Sequence, residues 1–493
     1  MKNNLSRTLL ILTALMLINS YDSNCYASPF SDDGDLSIKD KISEGYKNLK
    51  KKANDVKEDI VDAVSDGYET VKDKASDIKE DFVEGVGIIK DTISDKADKA
   101  KKKVTSGAGS VKNFFVDGYQ SVTKKINSAF NNDSYPGYIN NAIFLPGHES
   151  KEMVCQGIAF LKVDVKNDSN QVTGTFDRYI LLSYYPKSSD QPSQLVVIDR
   201  ANGNGKPIRR FPLYKSESKA YTGHAGGIAV AGNYVWVASG NKIFGFSKDE
   251  ILDFINETNV QAEAVNGLPD SFDELPAKNL ICKQSYGVDS KASYVSFDGT
   301  YIWVGDFTKA SSSDYKPVKH HKAFDRNCWI AGYKVDSTGM PTSDTEYTYT
   351  AGDSSYTVHK PDAVIAMRES VQGMAVCGNH VALTISYGAQ NSKLALYNNP
   401  LTTGATQFSY KPAGQDETFT VDAWELENKK NWVNTVTLAA GAEDLEYDGK
   451  DLYVTFECSS KNYRQKWINI NPTIKLTDDF YLIDVDKAVA YDD

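Results

Sequence analysis

Gly226-Gly-Ile-Ala-Val-Ala-Gly-Asn-Tyr-Val-Trp-Val-Ala-Ser239 decides the fold, because the chain repeats its pattern. The counterparts are Ser293-Tyr-Val-Ser-Phe-Asp-Gly-Thr-Tyr-Ile-Trp-Val-Gly-Asp306, Gln372-Gly-Met-Ala-Val-Cys-Gly-Asn-His-Val-Ala-Leu-Thr-Ile385 and Glu443-Asp-Leu-Glu-Tyr-Asp-Gly-Lys-Asp-Leu-Tyr-Val-Thr-Phe456. Each holds an alternating apolar run, a Gly-Asn or Asp-Gly pair, and a second run of β-branched or aromatic residues. Period-two alternation around such a pair predicts a β-hairpin, the pair supplying the positive φ of a tight type I′ turn. A looser fifth copy precedes them in Gln156-Gly-Ile-Ala-Phe160, Tyr179-Ile-Leu-Leu-Ser183 and Gln194-Leu-Val-Val-Ile-Asp199.

The equivalent first-strand residues are Ile158, Ile228, Val295, Met374 and Leu445, spaced 70, 67, 79 and 71 residues apart. That period is too long for a solenoid and exceeds the roughly 40–50 residues of common propeller blades. It suits a four-stranded blade with long loops. Third strands are expected at Lys242–Phe246, Trp329–Tyr333, Lys393–Tyr397, and either Tyr481–Asp484 or Trp467–Ile470. Pro207–Phe211 and Glu346–Tyr349 read as fourth strands, and Lys248–Asn256 as a short inserted helix. The residues after Asp444, together with those between Tyr138 and Gln156, amount to one more period, as if Ile143–Leu145 completed the last blade. Radial repetition hides the edges of such sheets. The fold expected is mainly β, a five-bladed β-propeller over 138–493, with six blades as the alternative. The repeats resemble those of secreted propellers, including lactonase-like and calcium-dependent nucleotidase-like ones. The resemblance implies a fold alone, since no catalytic motif of those families is present.

Residues 1–27 read as a secretory signal: Lys2 and Arg7 precede the apolar Leu9–Ile18, and Cys25-Tyr-Ala27 offers small residues before Ser28. Ten apolar residues are too few to span ~30 Å of hydrocarbon. The reading is an exported protein, secreted or periplasmic, with no transmembrane segment. Removing the signal leaves Cys155, Cys282, Cys328, Cys377 and Cys458, with Cys282–Cys328 as the candidate disulfide because both fall within one repeat interval. A net charge of −11 and the absence of a basic stripe argue against nucleic acid.

After a short linker, 28–35, residues 36–130 repeat every eleven positions. One apolar position runs Ile38, Leu49, Ile60, Val71, Phe82, Ile93, and a second runs Ile42, Ala53, Val64, Ala75, Val86. Eleven residues in three turns keep such a stripe on one face of an amphipathic helix. If continuous, it would be about 140 Å long at 1.5 Å per residue. The pattern resembles the repeats of late-embryogenesis-abundant proteins and, more loosely, apolipoproteins. One reading is a stripe that docks on lipid, a surface or a partner helix. The other is a solvated spacer, favoured by the balance of 19 lysines against 17 acidic residues, which leaves no strongly cationic face. Residues 131–137, Asn-Asn-Asp-Ser-Tyr-Pro-Gly, form a linker.

In a propeller, the loops leading into each first strand and those after each second strand open on one face around the axis. These positions nominate Gln156, His224, Asp306, Gln372, Glu443 and Glu457 as ligand-binding residues, with Asp306, Glu443 and Glu457 as oxygen donors suited to a hard cation such as calcium. Strand alternation would point Glu443 away from Asp444 and Glu446. His320-His321, in a loop, is expected to face solvent. Trp236 and Trp303 occupy matching second-strand positions and belong to the core. No nucleophile elbow, metalloprotease helix or phosphate-cradling glycine loop is present. The favoured reading is a secreted recognition protein, its propeller presenting a polar, acidic face to a small-molecule, glycan or protein ligand on a helical stalk. One alternative is a metal-assisted hydrolase or lyase acting at the central channel. Another is a lipid- or surface-binding helical arm that carries the propeller as cargo.

Overall fold

The computed structural model describes residues 135–491, apart from 147–152, 167–171, 188–189, 201–206, 258–274, 352–353 and 472. The signal segment 1–27, the linker 28–35 and the eleven-residue repeats of 36–130, with the lipid or helix partner expected for them, lie outside the described residues. The compact β unit begins at Tyr135.

Five sheets make the blades, each a meander that starts at the axis. Blade one is Met153–Lys166, Val172–Pro186, Gln194–Asp199 and Pro207–Ser216, and blade two is Ile228–Ala231, Tyr234–Ser239, Lys242–Ser247 and Gln284–Gly287. Blade three starts Tyr294–Phe297, Tyr301–Gly305, Cys328–Lys334, Ala363–Met367, and is widened by Phe419–Glu425 and Thr406–Tyr410. Blade four is Val371–Cys377, His380–Ile385, Asn391–Asn398 and Trp432–Ala440. Blade five takes Ala442–Tyr447, Asp451–Phe456 and Asp479–Asp484 from the C-terminal region and its outer strand, Ile139–Phe144, from the start of the unit. Ile143 there opposes Phe480 in an antiparallel pair. The ring is therefore closed by hydrogen bonds between the two ends of the unit, as the period arithmetic predicts. Tyr138 is buried at the seam and donates its hydroxyl to the Thr437 carbonyl at 2.6 Å.

Every inner strand runs beside the inner strands of both neighbouring blades. With five blades the inner backbones meet almost directly, which is why glycine recurs there. A Cβ on Gly157 would sit 2.9 Å from the Ile228 nitrogen, one on Gly227 2.6 Å from the Val295 nitrogen, and one on Gly373 2.9 Å from the Asp444 Cα. Outside this hub the blades pack through alternating apolar faces. Trp236 and Trp303 are fully buried, their indole N–H groups satisfied by the Gly339 carbonyl and the Asp298 carboxylate.

Several local expectations are corrected. The Gly-Asn turns are not type I′: Gly232 and Gly378 have positive φ but the following asparagines do not, as in type II′. In the Asp-Gly turns, the side chains of Asp298 and Asp448 accept backbone N–H groups two and three residues on. Trp467–Ile470 belongs to the helix Lys461–Ile470, leaving Asp479–Asp484 as the third strand. Glu346–Ala351 pairs with Ser354–His359 in a separate hairpin, and Ala363–Met367 takes the fourth place in blade three. Cys282 and Cys328 do not pair. Cys282 lies in the connector between Leu280–Ile281 and Gln284–Gly287 and donates to the Gln284 carbonyl, Cys328 starts the third strand of blade three and contacts the Thr308 hydroxyl, and all five described cysteines are free thiols.

Crowding at the hub sets a test. Gly227→Val forces a branched side chain against backbone that cannot move, and should cost roughly 3 kcal/mol or more in thermal or denaturant unfolding. Gly174→Val, at an exposed position with nothing within 4 Å of the new Cβ, should change stability by less than about 0.5 kcal/mol. Equal effects from the two would contradict the hub packing described.

Candidate functional site

The first inner-strand residues of blade five place a carboxylate on the axis. The ladder there is irregular between Ala442 and Leu445, so Glu443 and Asp444 escape simple alternation. Asp444 turns into the hub, where one oxygen accepts the backbone N–H groups of Ile158 and Ile228 at 3.2 Å each. Burial nevertheless raises its pKa well above the ordinary range, with those two bonds opposing. Glu443 is buried as well and accepts from the Gln372 amide at 3.2 Å.

Glu457, in the turn that follows the second strand of blade five, stands beside Glu443. Tyr185 donates to Glu457 at 3.3 Å and shares a 3.0 Å hydrogen bond with Tyr463 on the helix Lys461–Ile470. His224 stacks on the Tyr185 ring at 4.4 Å and keeps an exposed edge, while the protein around it holds its pKa below the usual histidine value. Burial and the charge of Glu457 raise Glu443 well above the carboxylate range. Burial also lifts Glu457, to about 7, against the lowering effects of the Tyr463 and Tyr185 hydroxyls and of Lys187 and Lys466. Burial thus favours the protonated form of both carboxyls over the ionised one. The wall of the site is aromatic, and its residues come from blades one, two, four and five.

The structure thus gathers His224, Gln372, Glu443 and Glu457 in one place. Gln156 lies on the adjoining inner strand, its side chain bonded to the Cys155 carbonyl and its carbonyl to the Thr455 hydroxyl. Asp306 stands apart. It is 1% exposed, and neither carboxylate oxygen has a hydrogen-bond partner. Desolvation raises its pKa to about 7, with Lys291 opposing and Asp289 adding to the rise.

A second cluster was not expected. His320 and His321, on the short turn Lys319–His321, are buried rather than exposed and converge on Asp289. The His320 Nε2 lies 3.0 Å from each Asp289 oxygen, and the His321 Nε2 lies 2.9 Å from Oδ1. Tyr347 of the separate hairpin donates to Oδ2. Against the desolvation penalty, these donors hold Asp289 below the carboxylate range, while burial keeps His321 below its own usual value. Among the described residues, Asp289, His320 and His321 form a group whose donor atoms all lie within 4.8 Å of one another, close enough to hold an ion. The expected oxygen set of Asp306, Glu443 and Glu457 is not part of it, and a donor set with two imidazoles is not one for calcium. Sequence reasoning missed Tyr185, Tyr463 and Asp289. The signal within reach was the doubled histidine itself.

No protein-family model matches the chain, and no curated protein matches it in sequence. Similar solved structures include the glutaminyl cyclase of Myxococcus xanthus, at 8% identity over 70% of this chain and 94% of that one, with a TM-score of 0.31. Apo AztD from Citrobacter koseri aligns at 11% identity over 62% and 64% of the two chains, TM-score 0.22. Hydrazine synthase from Kuenenia stuttgartiensis aligns at 11% over 71% and 89%, TM-score 0.24. No residue role passes to this chain from similarity at this level.

Asp306 sets the pH prediction. Its folded pKa lies above the unfolded value near 3.8, so its favourable contribution is complete below that value and is lost as pH rises through about 7. Asp306→Asn should therefore match the parent near pH 4 and exceed it at pH 8 by roughly 2–4 kcal/mol. Equal unfolding free energies at pH 8 would show that the carboxyl is not desolvated as described.

Proposed function

We propose that the protein is an exported recognition protein whose propeller captures a small cationic, hydrogen-bond-donating organic ligand, an amine or guanidine, at the channel mouth. The observation that carries this reading is the Glu443–Glu457 carboxyl pair beside the stacked rings of Tyr185 and His224. A cation entering there displaces the proton of the pair and gains a desolvated ionic contact together with an aromatic face. The net charge of −11 draws cations toward the protein. Lys187, whose ammonium lies 4.4 Å from the Tyr463 ring centroid at the rim, opposes this attraction. Export rests on the signal-like residues 1–27.

A second reading draws on one specific observation. A Glu457 pKa of about 7 beside a second carboxyl also suits proton transfer in a hydrolase or lyase.

Calorimetry with butylamine, putrescine and agmatine separates the two. Capture predicts that at least one probe binds, more tightly at pH 8 than at pH 5, with proton release to buffer and recovery of the probe unchanged. Glu457→Gln should weaken binding at least tenfold, about 1.4 kcal/mol, and Lys187→Ala should strengthen it. Absence of binding by all three probes at both pH values would overturn the amine reading, and probe turnover would favour the enzyme.

A further inference from the structure

We propose that Asp289, His320 and His321 are the ligands of a buried structural metal centre for a zinc-class divalent ion, fastening the off-blade hairpin Glu346–His359 to the junction of blades two and three. The cluster is separate from the channel mouth, and the proposal does not depend on what the mouth binds.

The donor set comes first. Two imidazole nitrogens and two carboxylate oxygens converge, with nitrogen–oxygen separations of 2.9–3.0 Å. Zinc bonds of about 2.0–2.1 Å at tetrahedral angles put neighbouring ligands roughly 3.3 Å apart, so the donors need to open by a few tenths of an ångström. Two imidazoles and a carboxylate select a borderline transition ion over calcium or magnesium.

The surroundings are those of a fixed ligand set. The Asp289 backbone is held at both ends: its N–H donates to the Tyr333 hydroxyl at 2.7 Å, and its carbonyl accepts the Trp329 indole N–H at 3.3 Å. Trp329 stacks on His321 at 4.5 Å, and Tyr410 lies parallel to His320 at 5.9 Å. The side chains of Asp289, His320 and His321 are 0%, 3% and 2% exposed, so a bound ion would meet no substrate, which makes the role structural. His320 Nδ1 is buried without a hydrogen-bond partner, so the polar contacts of this ring are all made through Nε2, the atom aimed into the cluster. Tyr347 steadies the second carboxylate oxygen, as outer groups do around metal ligands.

The architecture supplies the reason for such a centre. The hairpin lies outside the blade meanders. It meets the body through Tyr347 on Asp289, through Tyr349 against His320, and through His359 stacked on Tyr286 at 3.9 Å. An ion joining the segment before blade three to the turn Lys319–His321 would lock the surface against which the hairpin packs.

The test uses the full chain, stripped with EDTA, dialysed, and then given Zn2+, Co2+ or Ca2+ alone. The expected result is one Zn2+ retained per chain through dialysis, the visible absorption of four-coordinate Co2+, a higher thermal midpoint with Zn2+ and none with Ca2+, and slower proteolysis within the hairpin. Asp289→Asn and His321→Gln should lose the Co2+ bands and bind Zn2+ at least tenfold more weakly, whereas His224→Gln should keep both. Folded wild-type protein that shows no Co2+ bands and retains no Zn2+ would overturn the proposal without recourse to any variant. So would stoichiometric Zn2+ in folded Asp289→Asn.

Discussion

Five inner strands drawn to one axis leave no room for side chains between their backbones at the narrowest level. The rest of the molecule depends on that constraint. Gly157, Gly227 and Gly373 meet it by omitting a Cβ where the next blade's backbone passes. Asp444 meets it by offering a carboxylate to two N–H groups, those of Ile158 and Ile228, that belong to different blades. Burying a carboxyl is expensive unless it is bonded, and Asp444 uses one oxygen for both contacts while the other has no partner. The cost is accepted where a closed ring would otherwise bury unsatisfied backbone. Closure then fixes the mouth. The Glu443 carbonyl accepts the Thr384 hydroxyl of blade four, and the same residue's side chain meets Gln372 of that blade. The mouth is thus assembled by the contacts that close the hub, and its geometry cannot drift independently of the blades.

How much of this was legible follows from what repeats. The hairpins, their period and the borrowed outer strand Ile139–Phe144 could be read because each blade must restate the same alternation to bury the same two faces. Glu443, Glu457, His224 and Gln372 could be nominated because topology alone carries the ends of inner and second strands to one face. Tyr185 and Tyr463 could not. Tyr185 extends the second strand of blade one beyond the repeat, and Tyr463 lies on a helix whose pattern was also open to a strand reading. Glu346–Tyr349 misled for a related reason. Its alternation is genuine, but it serves a hairpin outside the meander, and period two does not say which sheet a strand joins. The histidine pair was misjudged because burial of a loop depends on the elements that fold over it, here a hairpin and the added strands of blade three.

Asp289 and Asp306 show how one low-dielectric interior produces opposite carboxylates. Both are essentially sealed from water. Asp289 receives two imidazoles and a phenol, and is held ionised below its ordinary range. Asp306 receives no donor, and burial lifts it to about 7. Burial is common to both, so the difference must come from oriented donors. The same distinction separates the two clusters of the molecule. Glu443 and Glu457 stand close together, with the Gln372 amide on one and the Tyr185 and Tyr463 hydroxyls on the other, and burial raises both carboxyls. Around Asp289 the donors are already aimed and the water already excluded, so the charge is set before anything arrives. On the capture reading proposed above, the first arrangement would serve a ligand that comes and goes. The other is suited to something bound as the protein folds and held afterwards.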